Sequence, residues 1–324
     1  MQPEIDETDI IVLKQLLCDG RKSFTQIARE HNTTKDVIAN HYKQMRKKKI
    51  IVGSTIQTSC SLYGFNIAAI FSIHVQPPTS EENIPLVAKI PSIGVVLPLG
   101  TTPTLLAVAQ VKDTAGLEKC QNSIRRLPFV IGVDTRIVTG TRSTPENLSI
   151  LGTKTCDKQS TDSQKSTENV AITDVIDEID RIIAEKLATC GRTPFSKIAK
   201  ELNVSTDTIV RHYERLKREG HIKAVIQIDP AKIGYHAYAI FHIAFSHENM
   251  QAATDFLKRL QDINVLLKST GKFDILAIFM IKNIDHFTDL QEKITKLPGF
   301  INMEVEIMKM LTVWPPPKEL ISTF

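Results

Sequence analysis

At 324 residues with 42% hydrophobic composition, the chain is long enough for two or three domains with ordinary cores. No apolar run approaches the roughly 18–20 residues that span a bilayer, and Gln2-Pro3-Glu4-Ile5-Asp6 is too polar and acidic to begin a signal peptide. These features predict a cytoplasmic protein with no membrane partner. The five cysteines, Cys18, Cys60, Cys120, Cys156 and Cys190, are scattered, odd in number and never spaced Cys-x-x-Cys, so plain thiols are expected. Histidines such as His236, His242 and His247 lack a spacing that gathers three ligands; no metal or cofactor is expected.

In chain order, residues 5–49 read as three short helices broken at Gly20-Arg21 and Asn32. The same grammar returns 171 residues later. Asp6, Asp9, Gly20-Arg21, Phe24, Ile27-Ala28, Glu30, Asn32, Asp36, Ile38 and His41-Tyr42 stand where Asp177, Asp180, Gly191-Arg192, Phe195, Ile198-Ala199, Glu201, Asn203, Asp207, Ile209 and His212-Tyr213 stand. Internal repetition settles the organisation before any single motif is weighed. In the second copy, Ile209, Tyr213 and Leu216 fall at i, i+4, i+7, one buried stripe of a helix opened by Ser205-Thr206-Asp207.

Charge follows the repeat. The window 21–49 carries +7 and the window 192–220 carries +3, which leaves −6 for the rest of a chain whose net charge is +4. Cationic charge concentrated on two helical segments of an otherwise acidic chain is the electrostatic footprint of phosphate binding.

Beyond the first helices, residues 50–56 read as a strand, 67–75, 95–99, 105–111 and 130–138 as further strands, and 82–90 and 117–127 as helices. The order is βαββαβ, a ferredoxin-like arrangement. The second copy repeats it, with strands at 237–245, 265–269, 275–281 and 301–310 and helices at 251–260 and 285–296. Between the copies, residues 141–175 contain twelve Ser/Thr and no aromatic, the composition of a flexible linker. The tail Trp314-Pro315-Pro316-Pro317 is read as an indole packed on the preceding sheet.

With these segments in place, Asp177-Glu178-Ile179-Asp180, Gly191-Arg192, the run 196–205, the basic run 215–223, Asp229-Pro230-Ala231-Lys232-Ile233-Gly234-Tyr235 and Gly271-Lys272-Phe273-Asp274 together resemble the leucine-responsive regulatory protein/AsnC (feast/famine) family of transcription regulators. The resemblance covers 176–314 strongly and 5–139 more weakly. It implies an α+β fold: two winged-type helix-turn-helix domains, 1–57 and 176–228, and two ferredoxin-like ligand and dimerisation domains, 58–140 and 229–324, in tandem about a linker at 141–175.

The resemblance also implies double-stranded DNA as partner and recognition helices at 34–49 and 205–219. Candidate base readers are Lys35, Ala39, Asn40 and Lys43 in the first copy and Thr206, Val210 and Arg211 in the second. Arg46, Lys47, Lys48, Ser196, Arg215, Lys217 and Arg218 are candidate phosphate contacts. Glu214 standing for Lys43 implies unlike half-sites. Gly271, Lys272 and Asp274 are candidates for an amino-acid-like effector, through exposed backbone N–H groups and one carboxylate. The first copy reads Gly100-Thr101-Thr102-Pro103-Thr104 and lacks the aspartate. The two copies are expected to pair within one chain as a pseudo-dimer, with further assembly as a homo-oligomer left open; the alternative is that two chains pair copy with like copy, the linker merely joining two dimer layers.

Two other classes compete. Fused sirohaem decarboxylases resemble the same family, but their histidine-asparagine-tyrosine and tryptophan-bearing stretches are replaced here by Leu266-Leu267-Lys268 and Asp274-Ile275-Leu276-Ala277-Ile278, so no catalysis is expected. A partner of other regulators that does not itself bind DNA is disfavoured by the two basic windows.

Overall fold

The computed structural model describes residues 5–77, 82–100, 102–152 and 176–316. In chain order the elements are α1 (Glu7–Cys18), α2 (Phe24–Glu30), α3 (Lys35–Lys47), β1 (Ile51–Thr58), β2 (Ile67–Val75), α4 (Asn83–Ala88), β3 (Ile93–Pro98), β4 (Thr104–Val111), α5 (Thr114–Arg125) and β5 (Val130–Ser143). The second repeat follows as α6 (Glu178–Thr189), α7 (Phe195–Leu202), α8 (Thr206–Arg218), β6 (Ile222–Ile228), β7 (Ala237–Phe245), α9 (Met250–Leu257), β8 (Ile263–Ser269), β9 (Ile275–Ile281), α10 (Ile284–Thr295) and β10 (Phe300–Lys309).

Two compact units cut across the repeats. One holds the described residues up to Leu62, those of Pro145–Ile233 and the segment from Thr312; the other holds those of Tyr63–Thr144 and Gly234–Leu311.

In the first unit each copy is a three-helix cluster followed by a strand. Helices α1 and α6 open with reciprocal boxes: Asp6 accepts from the Asp9 N–H while Asp9 accepts from the Asp6 N–H, and Asp177 and Asp180 do the same. Both donors would otherwise be orphaned at a helix start. The turn before each third helix passes through an asparagine at φ 53°, Asn32 and Asn203, a left-handed position that Asn tolerates. Strands β1 and β6 pair antiparallel, with Thr55 opposite Val225. Those two residues are 170 apart, the repeat offset of this region, so a pseudo-two-fold axis passes between them.

The second unit is one antiparallel eight-stranded sheet in the order β10-β7-β9-β8-β5-β2-β4-β3. Each repeat contributes four strands in the same relative order, and β5 joins them by pairing with β8, Thr141 opposite Leu267. At the other junction the Gly100 N–H donates to the Ile307 carbonyl (3.1 Å), the repeat counterpart of the Thr270 N–H on the Ile137 carbonyl (2.9 Å). Residues of β2, β4 and α5 form one core around Phe71, Leu105, Cys120 and Ile124; β7, β9, α9 and α10 form the other around Phe241, Phe279, Leu257 and Ile294. Strand β7 is buried on both faces rather than alternating, because its second face is covered as well. There His242 of β7 meets Arg136 of β5, from the other repeat.

Three expectations are corrected. The linker does not begin at 141: β5 continues to Ser143 because its last residues find a partner in β8, and Leu148 and Leu151 are buried beyond it. Lys14 Nζ donates to the Leu151 carbonyl (3.4 Å) and Glu146 pairs with Lys223 (3.5 Å). The remainder of the expected linker, 153–175, lies outside the described residues. The second ferredoxin-like domain does not hold residues 312–316 either: Trp314 is buried and exchanges backbone hydrogen bonds with Ile228 of β6, so this segment belongs to the helix-turn-helix unit. Lastly, Cys18 is disulfide-bonded, whereas Cys60, Cys120 and Cys190 are free thiols as expected. Sequence spacing carries no information about which thiols approach through space.

Candidate nucleic-acid interface

Each recognition helix, α3 and α8, is held by an apolar stripe and one polar staple. In α8 the stripe is Ile209, Tyr213 and Leu216, all buried as the spacing predicts. In α3 it is Ile38 and Met45, with Tyr42 half-buried. Phe24 stacks on Tyr42 at 5.2 Å between centroids and Phe195 on Tyr213 at 5.0 Å, tying α2 to α3 and α7 to α8.

The staple is the histidine preceding each tyrosine. His41 Nδ1 lies 2.9 Å from Asp9 and His212 Nδ1 lies 2.8 Å from Asp180, so each recognition helix is bonded to the capping box of the first helix in its own copy. Asp180 is fully buried and also receives Arg215. Burial alone would raise its carboxyl, but the hydrogen bonds from His212, Arg215 and the Asp177 backbone outweigh that and hold it below the usual carboxylate range. Among the described residues, Asp6, Asp9, His41 and Asp177, Asp180, His212 are the groups whose ligand atoms come within 4.8 Å of one another. In the second group the Arg215 guanidinium already neutralises Asp180, which a cation would have to displace.

With the inner faces fixed, the outward side chains are those expected for base edges. Lys35, Asn40 and Lys43 on α3 and Thr206, Val210 and Arg211 on α8 are exposed, and Ala39 is half-exposed. Arg46, Lys47, Lys48, Ser196 and Arg218 are exposed as well. Two expected phosphate contacts are engaged elsewhere. Arg215 is bound to Asp180, and Lys217 pairs with Asp19 of the other repeat at 2.9 Å. The basic run 215–223 does not distinguish a cation facing solvent from one with an internal carboxylate partner.

Sequence reasoning assigned no role to Arg21 and Arg192, although both stand in the duplicated Gly-Arg pair. Each leaves its own copy. Arg21 Nη1 donates to the carbonyls of Gly191 (2.8 Å) and Thr193 (3.0 Å), and Arg192 Nη1 donates to that of Gly20 (2.7 Å). The guanidinium of Arg21 lies 3.9 Å from the Phe195 ring centroid and 5.5 Å from that of Tyr213; Arg192 lies 5.0 Å from Phe24 and 5.5 Å from Tyr42. The glycines allow this approach, since a Cβ on Gly20 would sit 2.6 Å from the Val225 backbone and one on Gly191 2.4 Å from the Thr55 carbonyl oxygen.

In the other unit, Gly271 adopts φ +106° and Lys272 is paired with Glu304. One carboxylate oxygen of Asp274 accepts the Phe245 N–H (3.1 Å), so this aspartate caps neighbouring backbone. Arg136 approaches the loop, its Cγ 3.5 Å from where a Gly271 Cβ would be, and donates to His242 Nδ1 (3.1 Å). Burial and the Arg136 charge push His242 down to about 4, so its ring is neutral and accepts.

No helix among the described residues is long and apolar enough to cross a membrane, and no family model matches the chain. The chain is 32% identical over 127 residues to the HTH-type transcriptional regulator LrpA of Pyrococcus horikoshii, covering 39% of this chain and 90% of that protein. It is 30% identical over 141 residues to an uncharacterized HTH-type transcriptional regulator of Pyrococcus abyssi, covering 43% of this chain and 89% of the relative. The siroheme decarboxylase NirDL superposes with a TM-score of 0.63 at 14% identity, over 98% of this chain and 94% of its own, a likeness of fold across both repeats. With 90% of LrpA matched at 32% identity by well under half of a chain that carries the same element order twice, the protein belongs to the Lrp/AsnC family of HTH-type transcriptional regulators, as a tandem of two family units.

Proposed function

We propose that the chain is a DNA-binding transcription regulator that reads duplex DNA with α3 and α8 together. The observation carrying this is the duplicated helix-turn-helix whose outward faces keep Lys35, Asn40, Lys43, Arg46 and Arg211 exposed while their inner faces are fixed by His41 and His212. The pseudo-two-fold axis between Thr55 and Val225 relates the two helices as a two-fold dimer relates its recognition helices, so the operator has two half-sites. They are unlike, because Asn40 and Lys43 face DNA where Arg211 and Glu214 do in the other copy. Binding sites selected from random duplex DNA test this: an imperfect palindrome is expected, and no enrichment of any duplex rejects it.

The same proposal includes a small amino-acid-like effector on the loop Gly271–Asp274. Supporting it are the exposed backbone at Gly271 and the buried Arg136 beside it, whose side chain donates to neutral His242 and forms no salt bridge with a carboxylate among the described residues. A thermal-shift screen of the common amino acids, repeated on Asp274→Ala, tests it. The protein carries no decarboxylase activity in this proposal: Leu266 and Leu267 are buried aliphatic side chains of β8 where the decarboxylase resemblance asks for a histidine. Titration with sirohaem, followed by absorbance, is expected to give no bound spectrum.

A further inference from the structure

The reciprocal arginines do not point outward to DNA, yet they touch both recognition-helix assemblies. Arg21 leaves the corner after α1, crosses to the second copy, bonds two carbonyls of the α6–α7 turn and lies over the Phe195–Tyr213 pair. Tyr213 is a residue of α8 itself. Arg192 makes the crossing related by the pseudo-two-fold axis, to the carbonyl of Gly20 and the rings of Phe24 and Tyr42, the latter a residue of α3. Each crossing is anchored beside a strand of the other copy: the Gly20 N–H donates to the Ala224 carbonyl (2.7 Å) and the Gly191 N–H to that of Ser54 (2.9 Å). The placement of α3 relative to α8 therefore depends on the β1–β6 ribbon and on two guanidinium groups seated on the aromatic pairs of the opposite copy. A two-stranded ribbon alone is a compliant, marginally stable element. A planar guanidinium that donates to backbone carbonyl oxygens, two for Arg21 and one for Arg192, while lying on a ring is confined to a narrow range of geometries.

We infer that Arg21 and Arg192 are positioning residues that set the spacing and phase of the two DNA half-sites, without contributing to the sequence read within either. This rests on the proposal that both recognition helices bind DNA. The lock is also unequal. Asp19 beside Arg21 adds the ion pair with Lys217, whereas the repeat counterparts of those residues are Cys190 and Arg46, which cannot form a carboxylate pair. The α8 side is held by two more bonds than the α3 side, the second carbonyl of Arg21 and the Lys217–Asp19 pair, and releasing Arg21 disturbs the geometry more than releasing Arg192.

The discriminating readout is spacing, which a loss of general stability would not move. Sites are selected with the full chain from duplex libraries holding the two half-sites fixed and varying the distance between them. For the unsubstituted protein one spacing is expected to dominate. With Arg21→Ala, Arg192→Ala and the pair, affinity for the preferred spacing falls about tenfold or more, as the second half-site loses effective concentration. The range of accepted spacings widens, and affinity for an isolated half-site stays within about twofold. Arg21→Lys, which keeps the charge but not the fork, serves where the alanine variant fails to fold; it is expected to broaden the spacing too. An undiminished, equally narrow spacing preference in the folded variants overturns the inference while leaving DNA binding intact. A chain that binds no duplex overturns both, and variants that lose half-site binding in step with full-site binding show a merely structural role.

Discussion

Asp180 is a residue whose removal the structure makes costly, and its repeat counterpart provides an internal control. Asp180 is fully buried, takes His212 at 2.8 Å and Arg215, and closes the α6 capping box through the Asp177 N–H at 3.0 Å. Asp9 occupies the same place in α1 with His41 at 2.9 Å, but the position matching Arg215 is Gln44, and Asp9 keeps some exposure. Truncating a buried ion-pair partner costs about 3–5 kcal/mol because the remaining charge loses its compensation. A cap with one further hydrogen bond costs about 1–2 kcal/mol. Asp180→Ala is therefore expected to destabilise by roughly 2 kcal/mol more than Asp9→Ala. At about 2–4 °C per kcal/mol for a unit of this size, calorimetry separates the two variants by several degrees. The folded carboxyl is held below the usual range. Its contribution is complete above about pH 4, the unfolded value, and is lost as pH falls through the lower folded value. Asp180→Asn removes that acid slope. Equal melting shifts for the two alanine variants refute the argument that Arg215 and full burial make the difference.

His242, depressed to about 4 by burial and Arg136, binds its proton in the unfolded chain first. Stability is expected to fall as pH drops from about 6.5 toward 4, by at most about 1.4 kcal/mol per pH unit, and His242→Gln to flatten that slope in urea titrations. Gly191→Ala drives a Cβ to 2.4 Å from the Thr55 carbonyl oxygen and is expected to cost about 1–3 kcal/mol by denaturant unfolding. Gly220→Ala meets open space at φ +75° and is expected to cost about 1–2 kcal/mol through backbone strain alone. Alanine at Arg46, Lys47 and Lys48 together is expected to lower the salt slope of DNA binding by up to about three, at every sequence, whereas Arg211→Ala relaxes one half-site by about 1–3 kcal/mol; fluorescence anisotropy at several salt concentrations reads both.

The sequence by itself determined the repeat, the three-helix pattern and the βαββαβ order, because helix and strand periodicities and the Asp, Asn and Gly punctuation are local properties of the chain. It also identified the faces of α3 and α8, since Ile209, Tyr213 and Leu216 declare their own inner side by spacing. What it left open depends on distant partners. That Arg215 serves Asp180 and Lys217 serves Asp19 is invisible in a run of basic residues, because a cation's role is set by the carboxylate it meets in space. The extension of β5 through Ser143 exists because β8 offers it a ladder, against a composition that reads as linker. Trp314 joined β6 rather than the sheet before it, because Ile228 supplied the backbone partner. The crossing of Arg21 and Arg192 into each other's copies was foreshadowed only by the repeated Gly-Arg. Which copy each arginine serves is a property of the pseudo-two-fold axis, and that axis exists only once β1 has paired with β6.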